Sequence, residues 1–82
     1  MKLLRMTPGK GDVLLAEGDP EVAEDKERLI EEFRRQLNLG MWAAVPVTHG
    51  ASGRREAIMV QDFAEIPEGT ERVIFFPRAA GG

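Results

Sequence analysis

Residues 19–40 read DPEVAEDKERLIEEFRRQLNLG, and this stretch carries the clearest helical pattern in the chain. Its apolar side chains form one stripe at helical spacing, at Val22, Leu29, Ile30, Phe33 and Leu37. Asp19 is a good N-cap, Pro20 suits the first helical position, and Gly40 is a natural stop. We therefore expect one principal helix that begins near Asp19, ends by Gly40 and buries its apolar stripe.

The charges of this stretch agree with a helix. Acidic residues lie near its N-terminal end and arginines near its C-terminal end, which matches the helix dipole. Glu24 with Arg28, and Glu31 with Arg35, are spaced as supporting ion pairs on the exposed side.

Short apolar runs flank the helix on both sides and predict strands over residues 2–6, 13–16, 41–47, 56–63 and 72–77. Turn residues separate them at 7–12 and 66–70, and a loop rich in small and polar residues covers 48–55. Pro46 indicates an edge position or a bulge in the third strand. The last run is apolar without interruption, which is typical of a central strand covered on both faces. The predicted class is α+β, with a mixed sheet of four to five strands and one main helix.

Composition sets the broad class. The chain has 82 residues, 43% of them hydrophobic and 30% charged, which is typical of one folded domain rather than a disordered segment. It has no cysteine, so a disulfide framework is excluded and a cytoplasmic location is expected. No stretch is long enough to span a bilayer, and a net charge of −3 argues against nucleic acid as a partner.

The sequence does not contain a convincing set of catalytic residues. His49 and Ser52 share one loop, without a third group to orient the histidine or the motif of a nucleophile elbow. Residues 9–11 (Gly-Lys-Gly) are too short for a phosphate cradle, and the helix carboxylates do not converge on a metal. We therefore predict no catalytic residue, no metal and no cofactor.

The end of the chain is different. Residues 66–82, IPEGTERVIFFPRAAGG, pass from a glycine turn through an apolar strand and a proline to a short tail ending in Gly81-Gly82. This pattern resembles the molybdopterin-synthase small subunit and thiamine sulfur-carrier family, whose members are ubiquitin-like. The resemblance implies a β-grasp domain over residues 1–78 and a flexible Gly-Gly tail over 79–82. Arg78 stands where a second proline is common in the molybdopterin-type proteins, so the subfamily stays open, and a bacterial ubiquitin-like modifier is included.

The resemblance also implies a partner and a reacting group. An E1-like adenylating enzyme would activate the α-carboxylate of Gly82, and a target protein or a synthase subunit would receive the product. The physical case is independent: a chain end that threads a narrow channel needs residues without Cβ atoms, as Gly81 and Gly82 are. The protein itself would not be an enzyme.

The last strand also predicts an interface. If the helix covers one side of the sheet, then either Val73 and Phe75 or Ile74 and Phe76 face away from it. An exposed apolar patch of that size usually marks a contact surface. We assign Ile74, Phe76 and Arg78 as candidate partner-binding residues.

A second class of function fits the same sequence. A small structural or interaction module, for example a component of a phage or of a larger assembly, would need the fold and the apolar face but not the Gly-Gly end. Sulfur transfer and protein conjugation also stay open, as do the partner and the oligomeric state.

Overall fold

The computed structural model describes residues 1–49 and 53–78. The strands are β1 (Lys2–Thr7), β2 (Gly11–Glu17), β3 (Met41–His49), β4 (Arg54–Val60) and β5 (Arg72–Pro77). The main helix is α1 (Ala23–Asn38), and a short 3₁₀ helix covers Phe63–Glu65. The sheet order is β2-β1-β5-β3-β4, with β1 and β5 parallel and the other neighbours antiparallel. This is the expected α+β fold, a five-stranded mixed sheet of β-grasp type with one main helix.

The last strand lies in the middle of the sheet. β5 pairs with β1 on one side and with β3 on the other. Val73 and Phe75 are fully buried on the face that α1 covers, whereas Ile74 and Phe76 are half-buried on the opposite face. The central position was predicted correctly, but the prediction that both faces are covered was wrong, because one helix covers only one face.

The core is a layer between α1 and the sheet. The ring of Phe33 lies edge-on to Phe75, with centroids 5.6 Å apart, and to Phe63, with centroids 5.9 Å apart. The apolar stripe predicted on the helix is therefore buried against β5 through Phe33, and Leu37 packs against the same cluster. The buried apolar residues are Leu3, Leu29, Phe33, Met41, Ala43, Val45, Val60, Val73 and Phe75.

The helix begins later than expected. Asp19 caps a separate turn: the Glu21 N–H donates to its carboxylate at 2.9 Å, and the Val22 N–H to its carbonyl at 3.0 Å. Val22 is extended and is the N-cap of the helix, so the helix begins three positions later than the predicted cap at Asp19 implies. The predicted stop is confirmed, since Gly40 follows the helix with φ +88°, a conformation that glycine adopts without strain.

Asp25 holds this turn against the helix. Its carboxylate accepts a hydrogen bond from the Asp19 N–H at 2.9 Å and pairs with Arg28 at 2.6 Å, so Arg28 pairs with Asp25 rather than with Glu24. The Asp19 N–H first, and then the Arg28 guanidinium, hold the pKa of Asp25 below its usual 3.8. The fold therefore favours the charged form, whose contribution to stability is present above pH 3.8 and lost as the pH falls through the lowered pKa.

Two other boundaries differ from the expectation. β4 ends at Val60, and Phe63 lies on the 3₁₀ helix instead of a strand, because Asp62 caps that helix through the Ala64 N–H at 3.3 Å. β3 continues to His49, so the loop after it is shorter than predicted. The pairing of β3 with β5 ends at Ala44, so the part of β3 after Ala44 is an edge on that side. Pro46 lies in this part, which confirms the predicted edge position.

A membrane-spanning helix is absent from the described part of the chain, where none has both the length and the apolar character to cross a bilayer.

Phe33→Ala should lower the free energy of unfolding by about 3 kcal/mol or more, because it empties the space between two aromatic rings in a small core. Urea denaturation measures the change, with Met6→Ala as the control because Met6 is 49% exposed. Equal midpoints for the two variants would contradict this packing.

Gly18→Ala should cost about 1–3 kcal/mol, because the added Cβ would lie 2.9 Å from the Cβ of Asp25 and the turn would have to shift. Thermal unfolding measures the loss. The same change in an Asp25→Gly background should cost much less, since the crowding atom is gone. A full cost in that background would show that Asp25 is not what Gly18 accommodates.

Candidate functional site

The sheet face opposite α1 is the candidate site, and we call it the open face. The strand register assembles a row of apolar residues across all five strands: Leu14, Leu4, Ile74, Ala44 and Met59. Directly paired residues share a face, so these five side chains lie side by side. The row has no titratable group, so its chemistry is apolar contact.

A second row lies beside the first. Trp42 of β3 pairs with Phe76 of β5, and Met6 of β1 lies on the same face two residues after Leu4. Trp42 is 36% exposed and Met6 is 49% exposed, while Phe76 is half-buried between strands. The two rows form one apolar surface around β5.

The exposure of this surface is uneven. Leu14 on β2 and Met59 on β4 are 52% and 44% exposed, whereas Ala44 on the inner strand β3 is buried. The outer strands therefore present large side chains around a flatter centre. A contiguous apolar surface of this kind is typical of a protein contact site.

Cationic side chains border the apolar rows. At the start of β5, Lys2 and Arg72 are register partners, two residues before Leu4 and Ile74, so they share the open face. The Lys2 amine also lies 3.8 Å from the Glu17 carboxylate. At the other end, the guanidinium carbon of Arg78 lies 4.8 Å from the centroid of the Trp42 ring.

The structure brings three of the predicted site residues together. Ile74 and Phe76 lie on the open face, and Arg78 lies at its edge over Trp42. The predicted reacting residues, Gly81 and Gly82, lie outside the described residues, as does the rest of the 79–82 segment.

The structure does not test the pair His49 and Ser52. Ser52 lies outside the described residues, and only the backbone of His49 is described, at the end of β3. In the part of the chain that the structure describes, no three His, Cys, Asp or Glu side chains cluster as metal ligands.

The sequence reasoning did not assign Leu4, Met6, Leu14, Trp42 or Met59 to the surface. Each lies in a predicted strand, so alternation restricted it to one of two faces. Only the strand register shows that all five share the face of Ile74, and register was not predicted.

No family model, no curated protein and no solved structure matches this chain. The case for a function therefore rests on the geometry of the open face and on the sequence that follows it.

Leu14→Glu and Met59→Glu should each lower the free energy of unfolding by only about 1 kcal/mol or less, because both side chains are about half exposed. Binding of an apolar fluorescent dye should fall in both variants. Ile74→Glu should cost about 2 kcal/mol or more, since Ile74 is half-buried between Leu4 and Ala44. A large loss of stability in Leu14→Glu would contradict an exposed outer row.

Proposed function

We propose that this chain is a cytoplasmic ubiquitin-like modifier or sulfur-carrier protein, activated at the carboxylate of Gly82 by an E1-like adenylating enzyme. One observation supports this above the others: β5 is both the middle of the open face and the strand that leads to the Gly-Gly tail. A partner bound to the open face is thereby positioned next to the segment it acts on.

The distances suit such a partner. Residues 79–82, which connect Arg78 to the proposed reacting carboxylate, span at most about 14 Å at full extension. An active site within that reach can receive Gly82 while the enzyme holds the open face. Gly81 and Gly82 carry no Cβ, so a channel around them can be narrow enough to exclude water and other chain ends.

The reaction needs no catalytic group from this chain. The Gly82 carboxylate oxygen attacks the α-phosphorus of ATP, pyrophosphate leaves, and an acyl-adenylate forms on the partner. Hydrosulfide that attacks the carbonyl carbon expels AMP and yields a thiocarboxylate, whereas a cysteine thiolate of the partner expels AMP and yields a thioester. An amine of a target protein that attacks the acyl-adenylate or the thioester expels AMP or the thiol, loses a proton and yields an amide. The open face supplies binding, and the tail supplies the reacting carboxylate.

A simpler interaction module is the second candidate, and the exposure of Leu14, Trp42 and Met59 favours it equally. Such a module would bind a partner through the open face without any chemistry at Gly82. The two candidates differ in whether the last two residues matter, and that difference is directly testable.

Deletion of Gly81-Gly82 should abolish ATP–pyrophosphate exchange with the cognate adenylating enzyme and leave the melting temperature nearly unchanged. The carboxylate would then belong to Ala80, whose methyl group crowds a channel suited to glycine. Gly82→Ala keeps the chain length and should also lose most of the exchange.

The intact mass of the protein purified from its own cells establishes whether Gly82 is the final residue in the mature form. Equal exchange by the full and shortened chains would reject activation at Gly82. Loss of partner binding in Leu14→Glu without any exchange by the wild type would favour the interaction module.

A further inference from the structure

We infer that Trp42 and Arg78 form a positioning pair that sets the direction in which the chain leaves the open face. The inference deepens the proposed function and rests on it, because the segment so directed is the one proposed to react. Neither residue touches the reacting carboxylate, so their role is to present the tail.

The sheet stops holding the chain just before Arg78. The last pair between β5 and β3 joins Pro77 to Met41, and the pairing with β1 has already ended at Phe75. Pro77 has no N–H to donate to a ladder. Arg78 is thus the first residue after β5 without a cross-strand partner, so strand pairing does not orient it.

The side chain of Arg78 provides that contact. Alternation along the strand puts Phe76 and Arg78 on the same face, and Trp42 lies directly opposite Phe76. Arg78 is therefore the diagonal neighbour of Trp42, and its guanidinium carbon lies 4.8 Å from the ring centroid, within the range of a cation–π contact. Within residues 1–49 and 53–78, Arg78 makes no hydrogen bond or ion pair that competes with this stack.

The contact between Arg78 and Trp42 affects how the protein binds its partner. It holds Arg78 against the open face, which is the surface proposed to contact the partner. An exposed cation–π contact favours the stacked conformation of Arg78 over unstacked conformations by roughly two- to fivefold. Preorganisation of this kind lowers the cost of binding without changing the bonds made in the reaction. Losing the stack should therefore raise KM for this protein and leave kcat unchanged.

The contact itself can be measured without any enzyme. Trp42 is the only tryptophan in the chain, so its ring current and its fluorescence report on this place alone. NMR of the wild type should show that the Trp42 ring shifts the side-chain protons of Arg78 upfield. Trp42→Leu should remove that shift, and Trp42→Phe should keep much of it. Absence of the shift in the wild type would overturn the inference.

The role is measured by a double-mutant cycle in the exchange assay. Arg78→Ala and Trp42→Leu should each raise KM roughly two- to fivefold, and the double variant should be no worse than the worse single variant. Arg78→Lys, which keeps the charge but loses the planar stack, should recover only part of the loss. Met59→Ala, on the same face but away from the exit, should add independently to either change.

Other outcomes of the exchange assay would contradict the positioning role or the proposed function. Independent effects of Trp42 and Arg78, or a fall in kcat instead of a rise in KM, would overturn the positioning role. No exchange by the wild type would reject the proposed function and this role with it, whatever the NMR shift shows. Since Arg78 is exposed, its variants should fold normally, and Trp42→Met, which also lacks an aromatic ring, serves if Trp42→Leu does not fold.

Discussion

The burial of Val73 and Phe75 in the middle of the sheet is the constraint on which the rest of the structure depends. Both are fully buried, and they join the first strand, the third strand and the helix into one core. Because strand side chains alternate, burying this pair forces Ile74 and Phe76 onto the other face. A chain with one long helix covers one face only, so the open face follows from the same arrangement that stabilises the fold.

Much of the fold could be predicted because local signals were strong. The contiguous apolar run of β5, bounded by a charged residue and a proline, gave the observed limits Arg72–Pro77. The first hairpin was predicted from Pro8 and Gly9, which form its turn: Gly9 has φ +79°, and the Lys10 N–H donates to the Thr7 carbonyl at 3.0 Å. In both cases the deciding interaction lies within a few residues of sequence.

The features that were predicted wrongly or not at all depend on residues that are far apart in sequence. The start of the helix depends on a hydrogen bond between Asp19 and Asp25, six positions apart, which periodicity does not report. The open face depends on register among five strands, which brings Leu14 and Met59 into one row although they belong to the second and the fourth strand of the chain. A slip of one residue would exchange the two faces, so no local pattern identifies such a surface. The residues named from sequence were those of β5 and its exit, because alternation within one strand leaves only two sets of residues to choose between.

The central position of β5 also has a consequence for how the protein is made. A ribosome synthesises β5 after the other four strands, so β1 and β3 have no strand between them until residues 72–77 have emerged. The nascent chain therefore holds an incomplete core with exposed apolar groups until synthesis of the domain is nearly finished. Folding of the whole sheet must therefore wait until β5 has left the exit tunnel. Any chain that stops before Phe75 should remain a substrate for chaperones and proteases, which links completion of the last strand to survival of the protein in the cell.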